Sequence, residues 1–296
     1  MPRIVVGSQG SVLALSQARW VAERLKEAWP EADFKVRSIR RPGGAGQADY
    51  GVSELEEALR KGQADMIVAS LCEFAPEPPG GIALGAVTRR LDPREAWVAR
   101  GGRPIADLAP GARVGASGAR VRAQLAALRG DLEFVPLEGD LESRMARIAA
   151  GECDGVVVPA ADLLRMDMRQ RIDAYIETAV VMPAAGQGAL GIEVREDDDV
   201  HAELAYALND GDADDRTAAE RAFMVALGVS IAAPVGALAV LGEDGRINLS
   251  GCVAAPDGSK VVRSEASGSR EESEDIGIEL AGKIRQQGAD VLLARV

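Results

Sequence analysis

Apolar residues along the first 70 positions follow two alternating periods, and this alternation predicts strands and helices in turn. Arg3–Gly7 is a short apolar run typical of a buried strand, and Asp65–Ser70 is another. Val12–Trp29 has apolar residues at helical spacing, with Ser11 as the expected N-cap. A Ser-x-x-Glu capping box predicts a second helix over Ser53–Lys61. Such alternation favours a mostly parallel sheet covered by helices on both faces.

The same rhythm returns after residue 110, and then the pattern changes. Strands are predicted at Gly155–Pro159 and Leu190–Val194, with helices before and after them. Beyond Pro234, Ala237–Leu241 and Ile247–Val253 are typical of antiparallel strands joined by a turn. The remaining predicted elements are strands at Phe34–Ile39, Arg113–Gly115 and Glu133–Leu137, helices at Arg120–Leu128, Leu141–Ala150, His201–Leu208, Asp214–Leu227 and Glu272–Gln287, and a Gly-rich loop at Arg41–Gly51. We therefore expect two α/β domains and a small C-terminal α+β domain.

Charge and composition narrow the classes of partner. The 296 residues carry a net charge of −12, which would repel nucleic acid and anionic membranes, so we expect neither as a partner. No segment has the pattern of a signal peptide or of a membrane-spanning helix. The three cysteines are far apart and form no CxxC pair, which is typical of reduced thiols in a cytoplasmic protein. Because His201 is the only histidine, we expect no metal site.

A glycine motif needs a separate interpretation. Gly186–Gly191 (GQGALG) fits the GxGxxG pattern of dinucleotide-binding loops. That fingerprint requires a strand before the motif and a helix after it, whereas here a Met-Pro pair precedes it and a predicted strand follows. The motif therefore indicates a Gly-rich hinge between domains.

Segments along the whole chain resemble the porphobilinogen deaminase (hydroxymethylbilane synthase) family. Pro183–Arg195 (PAAGQGALGIEVR) is similar to the segment that returns the family's chain from its second domain to its first. The other matching segments, collinear with the family's motifs, are Gly7–Gln17 (GSQGSVLALSQ), Glu54–Leu59 with Ala64–Ser70, Leu91–Trp97 (LDPREAW), Gly115–Leu125 (GASGARVRAQL), Leu137–Arg144 (LEGDLESR), Ala219–Ala222 (AERA) and Ala255–Gly258 (APDG).

The resemblance implies a fold and a reaction. It implies two periplasmic-binding-protein-like α/β domains joined by a hinge, the first from residues 1–93 and 190–212 and the second from 94–189, with a C-terminal α+β domain at 213–296. Members of the family polymerise porphobilinogen into a linear tetrapyrrole and release ammonia at each step. They use a dipyrromethane cofactor held by a cysteine thioether, and arginines bind the carboxylates of the growing chain.

The resemblance also carries roles onto particular residues. Glu73, in ASLCE, stands at the family's catalytic aspartate. Ile231, in VSIAAPVG, stands at the cofactor cysteine, so we expect no dipyrromethane attachment and no cofactor. Ser11, Ser117, Arg120, Arg144 and Arg165 match ligand-binding positions of the family, whereas the positions at which this chain departs from it are Gln9, Cys72, Gly118, Val121 and Glu138.

Three hypotheses about function follow. The main prediction is a divergent homologue that does not polymerise porphobilinogen by the covalent mechanism and binds a small anionic or pyrrole ligand in the interdomain cleft. The alternative is an active porphobilinogen deaminase whose cofactor is noncovalent or displaced. The third is a cytosolic ligand-sensing module, suggested by the likeness of the fold to two-domain solute-binding proteins. The sequence makes no prediction about oligomeric state.

Overall fold

The structure, a computed structural model, describes residues 3–39 and 51–294. Apart from Gly51, the loop predicted at Arg41–Gly51 lies outside the described residues. The strands are β1 (Arg3–Ser8), β2 (Asp33–Ser38), β3 (Met66–Ser70), β4 (Ile82–Val87), β5 (Glu95–Ala99), β6 (Arg113–Ala116), β7 (Glu133–Val135), β8 (Gly155–Pro159), β9 (Ala174–Ile176), β10 (Leu190–Arg195), β11 (Val235–Leu241), β12 (Ile247–Ala254) and β13 (Val261–Gly268). The helices are α1 (Val12–Ala28), α2 (Val52–Arg60), α3 (Gly118–Leu128), α4 (Leu141–Ala149), α5 (Ala160–Arg165), α6 (Asp199–Tyr206), α7 (Gly211–Leu227), α8 (Ser273–Gln286) and α9 (Ala289–Leu293).

The described residues form two compact units. The first unit comprises Met1–Leu91 and Ala189–Asp214, and the second comprises Asp92–Gly188 and Asp215–Val296. The three domains expected from the sequence, with their boundaries, stay a prediction. The chain passes from the second unit to the first between Gly188 and Ala189, within the segment that the sequence indicates as a hinge.

The first unit is built on one five-stranded sheet in the order β2-β1-β3-β10-β4. β1, β2 and β3 are parallel, whereas β10 runs antiparallel to β3 and β4. The apolar run of β3 is buried along its whole length, as expected for a central strand covered on both faces. Val21 and Leu25 of α1 pack against Ile4 and Val6 of β1 in the core of this unit.

The second unit contains a sheet of the same design and a smaller one. The order β7-β6-β8-β5-β9 again surrounds a central strand, β8, which is parallel to β6 and antiparallel to β5. The antiparallel sheet β11-β12-β13 packs its apolar face on α7 and α8. The expected α/β fold with a small C-terminal α+β region is therefore confirmed.

Two backbone positions in the second unit require glycine. A Cβ on Gly155 would lie 2.3 Å from the ring of Trp97, so only glycine lets this indole pack across β8. Gly186 has a φ of 77° in the left-handed region, and its N–H donates a 2.7 Å hydrogen bond to the buried Glu220 carboxylate. The other Glu220 oxygen accepts from Ala239 N–H of β11 at 2.7 Å. One carboxylate therefore joins the glycine segment to the small sheet.

Several local predictions are corrected by the structure. The capping box at Ser53 is wrong, because α2 begins at Val52 with Gly51 as its N-cap and the Ser53 hydroxyl lies 3.0 Å from a Glu54 carboxylate oxygen. Ser11 does cap α1, since its hydroxyl accepts a hydrogen bond from Ala14 N–H. The sequence interpretation missed four strands and two helices, namely β4, β5, β9, β13, α5 and α9. Within residues 3–39 and 51–294, no helix is long and apolar enough to cross a membrane.

Candidate functional site

In the first unit, two of the predicted site residues follow the carboxyl ends of adjacent parallel strands. Ser11 caps the helix that follows β1, and Glu73 lies on a single 3-10 turn directly after β3. Glu73 is exposed and Ser11 is half-buried. This edge is where open α/β sheets bind their ligands. Glu73 therefore presents a carboxylate to solvent at a position suited to ligand chemistry.

Cys72 differs from the other two cysteines in its access to solvent. It is half-buried beside Glu73, with its Sγ 3.4 Å from the Ser70 Oγ, whereas Cys153 and Cys252 are fully buried. Burial raises the pKa of the Cys153 and Cys252 thiols, which disfavours the reactive thiolate. Of the three, Cys72 is thus the thiol best placed for covalent chemistry.

The second unit places the remaining predicted residues after its own parallel strands or on the helices beside them. Ser117 follows β6, and its hydroxyl donates a 3.2 Å hydrogen bond to the Leu137 carbonyl. Arg144 lies on α4 and donates through Nε to the Gly139 carbonyl at 2.9 Å. Arg165 is the last residue of α5. Both arginines are half-buried.

Arg120 is held by acceptors within its own unit. Its Nη1 donates to the Met182 carbonyl at 2.7 Å, and its Nη2 donates to Glu95 at 2.5 Å and to the Gln187 side-chain oxygen at 3.1 Å. The Glu95 side chain is only 1% exposed. This arrangement gives Arg120 a clear structural role, and its predicted role in ligand binding stays a prediction.

Arg165 has a carboxylate partner that the sequence interpretation missed. Asp162 Oδ1 lies 3.8 Å from Arg165 Nη1, and Arg165 Nη2 donates to the Gly188 carbonyl at 2.8 Å. Burial raises the pKa of Asp162 to about 6, against the attraction of Arg165. The i, i+3 spacing of the pair on a helix was the available signal, but α5 itself was not predicted.

Three departures from the family's charged or nucleophilic positions have clear structural settings. Val121 lies on the buried face of α3, whereas Glu138 is exposed. Ile231 lies in a turn in which Ala233 N–H donates to the Ser230 carbonyl, and 51% of Ile231 is exposed. The loop at the expected attachment position therefore presents an apolar side chain without a nucleophile.

The fold and these residues define a protein with two α/β sheets of the same design, an exposed acid after one central strand and an aspartate–arginine pair after the other. Residues 4–203 match the family model described as the porphobilinogen deaminase dipyrromethane cofactor binding domain. Residues 215–286 match the porphobilinogen deaminase C-terminal domain. The chain belongs to the porphobilinogen deaminase family.

Curated relatives are similar in sequence to this chain along its full length. The porphobilinogen deaminase of Thermus thermophilus is 44% identical over 297 residues, which cover 99% of each chain. That of Deinococcus radiodurans is 41% identical over 308 residues, which cover 100% of this chain and 99% of the relative. Full coverage on both sides means that the similarity includes both family domains.

Solved structures with distant sequences were also matched. The BvgS VFT2 domain of Bordetella pertussis covers 70% of this chain and 85% of its own, with 16% identity and a TM-score of 0.44. A TRAP periplasmic solute binding protein from Pseudomonas putida, solved with D-glucuronate, covers 70% of this chain and 78% of its own, with 11% identity and a TM-score of 0.44.

The family match corrects the prediction about the cofactor. From Ile231 we expected no dipyrromethane cofactor. However, residues 4–203 match the cofactor-binding domain of the family, and the two curated relatives are named porphobilinogen deaminase. The prediction was wrong because it gave one loop residue more weight than the similarity over residues 4–203. An isoleucine excludes a thioether at its own position only, and it does not exclude the cofactor.

Proposed function

We propose that the chain is an active porphobilinogen deaminase that carries a dipyrromethane cofactor held noncovalently or through a residue other than Ile231. The observation that carries the proposal is the 44% identity to a curated porphobilinogen deaminase over 99% of both chains. A divergent, inactive homologue is the competing hypothesis, and it rests on the replaced positions alone.

The second unit offers cations for the cofactor and the substrate. Pyrroles of this class carry acetate and propionate groups, and a guanidinium fork binds a carboxylate through two hydrogen bonds. Arg144 and Arg165 are half-buried, which strengthens such pairs relative to those in bulk water. These residues fit the carboxylates of a dipyrromethane, which when bound would supply the growing end of the chain.

The attachment of the cofactor differs from the family pattern. Ile231 can provide an apolar contact to a pyrrole ring through its exposed side chain, but it cannot form a thioether. If attachment is covalent but displaced, Cys72 is the best candidate, because Cys153 and Cys252 are fully buried. The intact mass of the protein distinguishes a displaced link from noncovalent binding.

Glu73 supplies the acid–base chemistry in this proposal. When the aminomethyl group of porphobilinogen loses ammonia, the remaining carbon becomes cationic, and a nearby carboxylate stabilises that charge. As the new carbon–carbon bond forms, the attacked pyrrole carbon loses a proton, which the same carboxylate can accept. Glu73 is longer than aspartate by one methylene, and a misplacement of about 1 Å can lower a rate about 100-fold. We therefore expect slow turnover.

The experiment is a porphyrin assay. The purified protein is incubated with porphobilinogen, the mixture is oxidised, and porphyrin absorbance is compared with a sample lacking protein. A porphyrin band above that control supports the proposal. No band over a long incubation at high protein concentration, with no dipyrrole in the intact mass, would favour the inactive homologue.

A further inference from the structure

The two α/β sheets place an acid at the same topological position. β3 is the central strand of one sheet and β8 is the central strand of the other, each with a parallel neighbour on one side and an antiparallel neighbour on the other. Glu73 is the third residue after β3, and Asp162 is the third residue after β8. The position that supplies the proposed catalytic carboxylate in the first unit thus carries a second carboxylate in the second unit.

The surroundings of Asp162 differ from those of Glu73. The Asp162 side chain is 18% exposed and faces Arg165, which is 10% exposed, at 3.8 Å between Oδ1 and Nη1. Glu95 of β5 repels its charge, whereas Arg144 of α4 attracts it. Arg169, on the turn after α5, is exposed to solvent. Asp162 is therefore an internal counter-ion for Arg165 and not a solvated surface acid.

Only one member of this pair can change its charge near neutral pH. An arginine remains protonated in proteins, so Arg165 keeps its positive charge when any anion binds. Burial makes the charged form of Asp162 costly, which raises its pKa to about 6 even beside Arg165. If another carboxylate bound Arg165, the attraction between Asp162 and Arg165 would weaken, and Asp162 would hold a proton more tightly still.

We propose that Asp162 is an exchangeable counter-ion for Arg165: when a substrate carboxylate binds Arg165, Asp162 takes up one proton from solvent. The inference rests on the proposed function, because it assigns Arg165 to the carboxylates of the pyrrole chain. Asp162 acts through Arg165 and is a positioning residue, not a catalytic one. The exchange keeps the local charge balanced, since one carboxylate is neutralised as another arrives.

The exchange predicts a pH dependence of binding and not of the chemical step. Anion binding takes up a proton, so affinity rises as pH falls from 8 towards 6, and KM falls with it. The kcat changes less, because Asp162 does not touch the reacting atoms. In Asp162→Asn the side chain cannot ionise, so residue 162 does not compete as an anion for Arg165 at any pH and the pH dependence of KM disappears.

The test measures proton uptake directly. Succinate, a simple dicarboxylate that does not react, is titrated calorimetrically into the full chain at pH 7 in bis-Tris and in Tris, two cationic buffers with different ionisation enthalpies. The wild type should take up nearly one proton per bound succinate. Asp162→Asn should take up none and bind several-fold more tightly at pH 7. Glu142→Gln removes an exposed acid of α4 and should behave as the wild type.

Porphobilinogen kinetics separate this inference from the proposed function. If the wild type forms porphyrin but Asp162→Asn shows the same KM profile and the same proton uptake, the counter-ion exchange is overturned while the enzyme assignment stands. Suppose instead that the wild type forms no porphyrin but takes up a proton when succinate binds, and that Asp162→Asn takes up none. The exchange then holds and the enzyme assignment falls.

A measurement on the unaltered chain covers the case in which Asp162→Asn does not fold. The carboxyl carbon of Asp162, observed by NMR in protein labelled with 13C-aspartate, should titrate near pH 6 alone and at higher pH with succinate. An unchanged titration at saturating succinate overturns the proposal.

Discussion

The Glu95 carboxylate, buried within the second unit, accepts a 2.5 Å hydrogen bond from Arg120 Nη2. Gln187 joins the same pair, since its amide nitrogen donates to Glu95 at 3.0 Å while its oxygen accepts from Arg120. Gln187 belongs to the glycine segment that leads to β10, so the ion pair fixes this segment against β5 and α3. The arginine at this family motif position thus has a structural partner.

Replacement of Arg120 should destabilise the protein strongly. In Arg120→Met, Glu95 remains buried without its cation, and such a loss costs about 3 to 5 kcal/mol of unfolding free energy. Urea unfolding measures this, with Arg171→Met at an exposed position as the control. The double variant Arg120→Met with Glu95→Gln should recover part of the loss. Equal stability of Arg120→Met and wild type would show that the pair is not structural.

Glu220 should be sensitive even to its isosteric amide. Both of its oxygens accept backbone N–H groups, from Gly186 and Ala239. In Glu220→Gln one of these donors faces an amide NH2, and a buried unsatisfied group costs about 1 to 3 kcal/mol. Thermal unfolding should show a lower Tm, whereas Glu243→Gln, an exposed acid in the turn after β11, should leave it unchanged.

Ile231→Cys should create a covalent cofactor site. The side chain is 51% exposed in a turn, so a thiol there is accessible and its introduction should cost little stability. After incubation with porphobilinogen, intact mass spectrometry should show a dipyrromethane adduct on this variant. Ile231→Ser, which lacks a thiol, should gain no adduct at residue 231. An unmodified Ile231→Cys would mean that the loop does not face the bound pyrroles.

Asp162 should give a specific signature in stability against pH. Its folded-state pKa of about 6 lies above the ordinary value of 3.8, so the folded state binds the proton more tightly than the unfolded state does. Its stabilising contribution is therefore present below pH 4 and is lost as the pH rises through 6. The difference between a pKa of about 6 and the ordinary value of 3.8 corresponds to roughly 3 kcal/mol of unfolding free energy.

The comparison with Asp162→Asn isolates that contribution. The unfolding free energy of the variant minus that of the wild type should grow by about 2 to 3 kcal/mol between pH 4 and pH 8. Glu142→Gln should show no such trend. A difference that is flat with pH would mean that Asp162 titrates at its ordinary value.

Much of the fold could be predicted from periodicity, and particular residues show why the rest could not. The apolar runs of β1, β3 and β8 are buried on both faces, so their pattern is unambiguous. β13 is different, because VVRSEASG lies on a sheet with one covered face, and half-buried or exposed polar residues separate its buried positions. β5 begins with Glu95, a charge that argues against a buried strand until its partner Arg120 is seen.

The candidate site could be predicted only through the family resemblance. Motif matching located Arg144 and Arg165, which keep the family's residue type and spacing, and Glu73, which keeps a carboxylate at the position of the family's aspartate. It could not find Asp162, whose importance comes from burial beside Arg165 and not from any motif. It also gave Ile231 too much weight, since a single missing nucleophile says nothing about the cations and the acid elsewhere in the chain.

Ammonia release from porphobilinogen at high protein concentration tests the central claim most directly. We expect the wild type to release ammonia in step with the porphobilinogen consumed, and Glu73→Asp, which restores the family's shorter acid, to do so faster. Glu73→Gln should release little, whereas Glu77→Gln, an exposed acid on the following loop, should match the wild type. Ammonia at the level of a protein-free control in the wild type and in Glu73→Asp alike would contradict the assignment of this chain as an active deaminase.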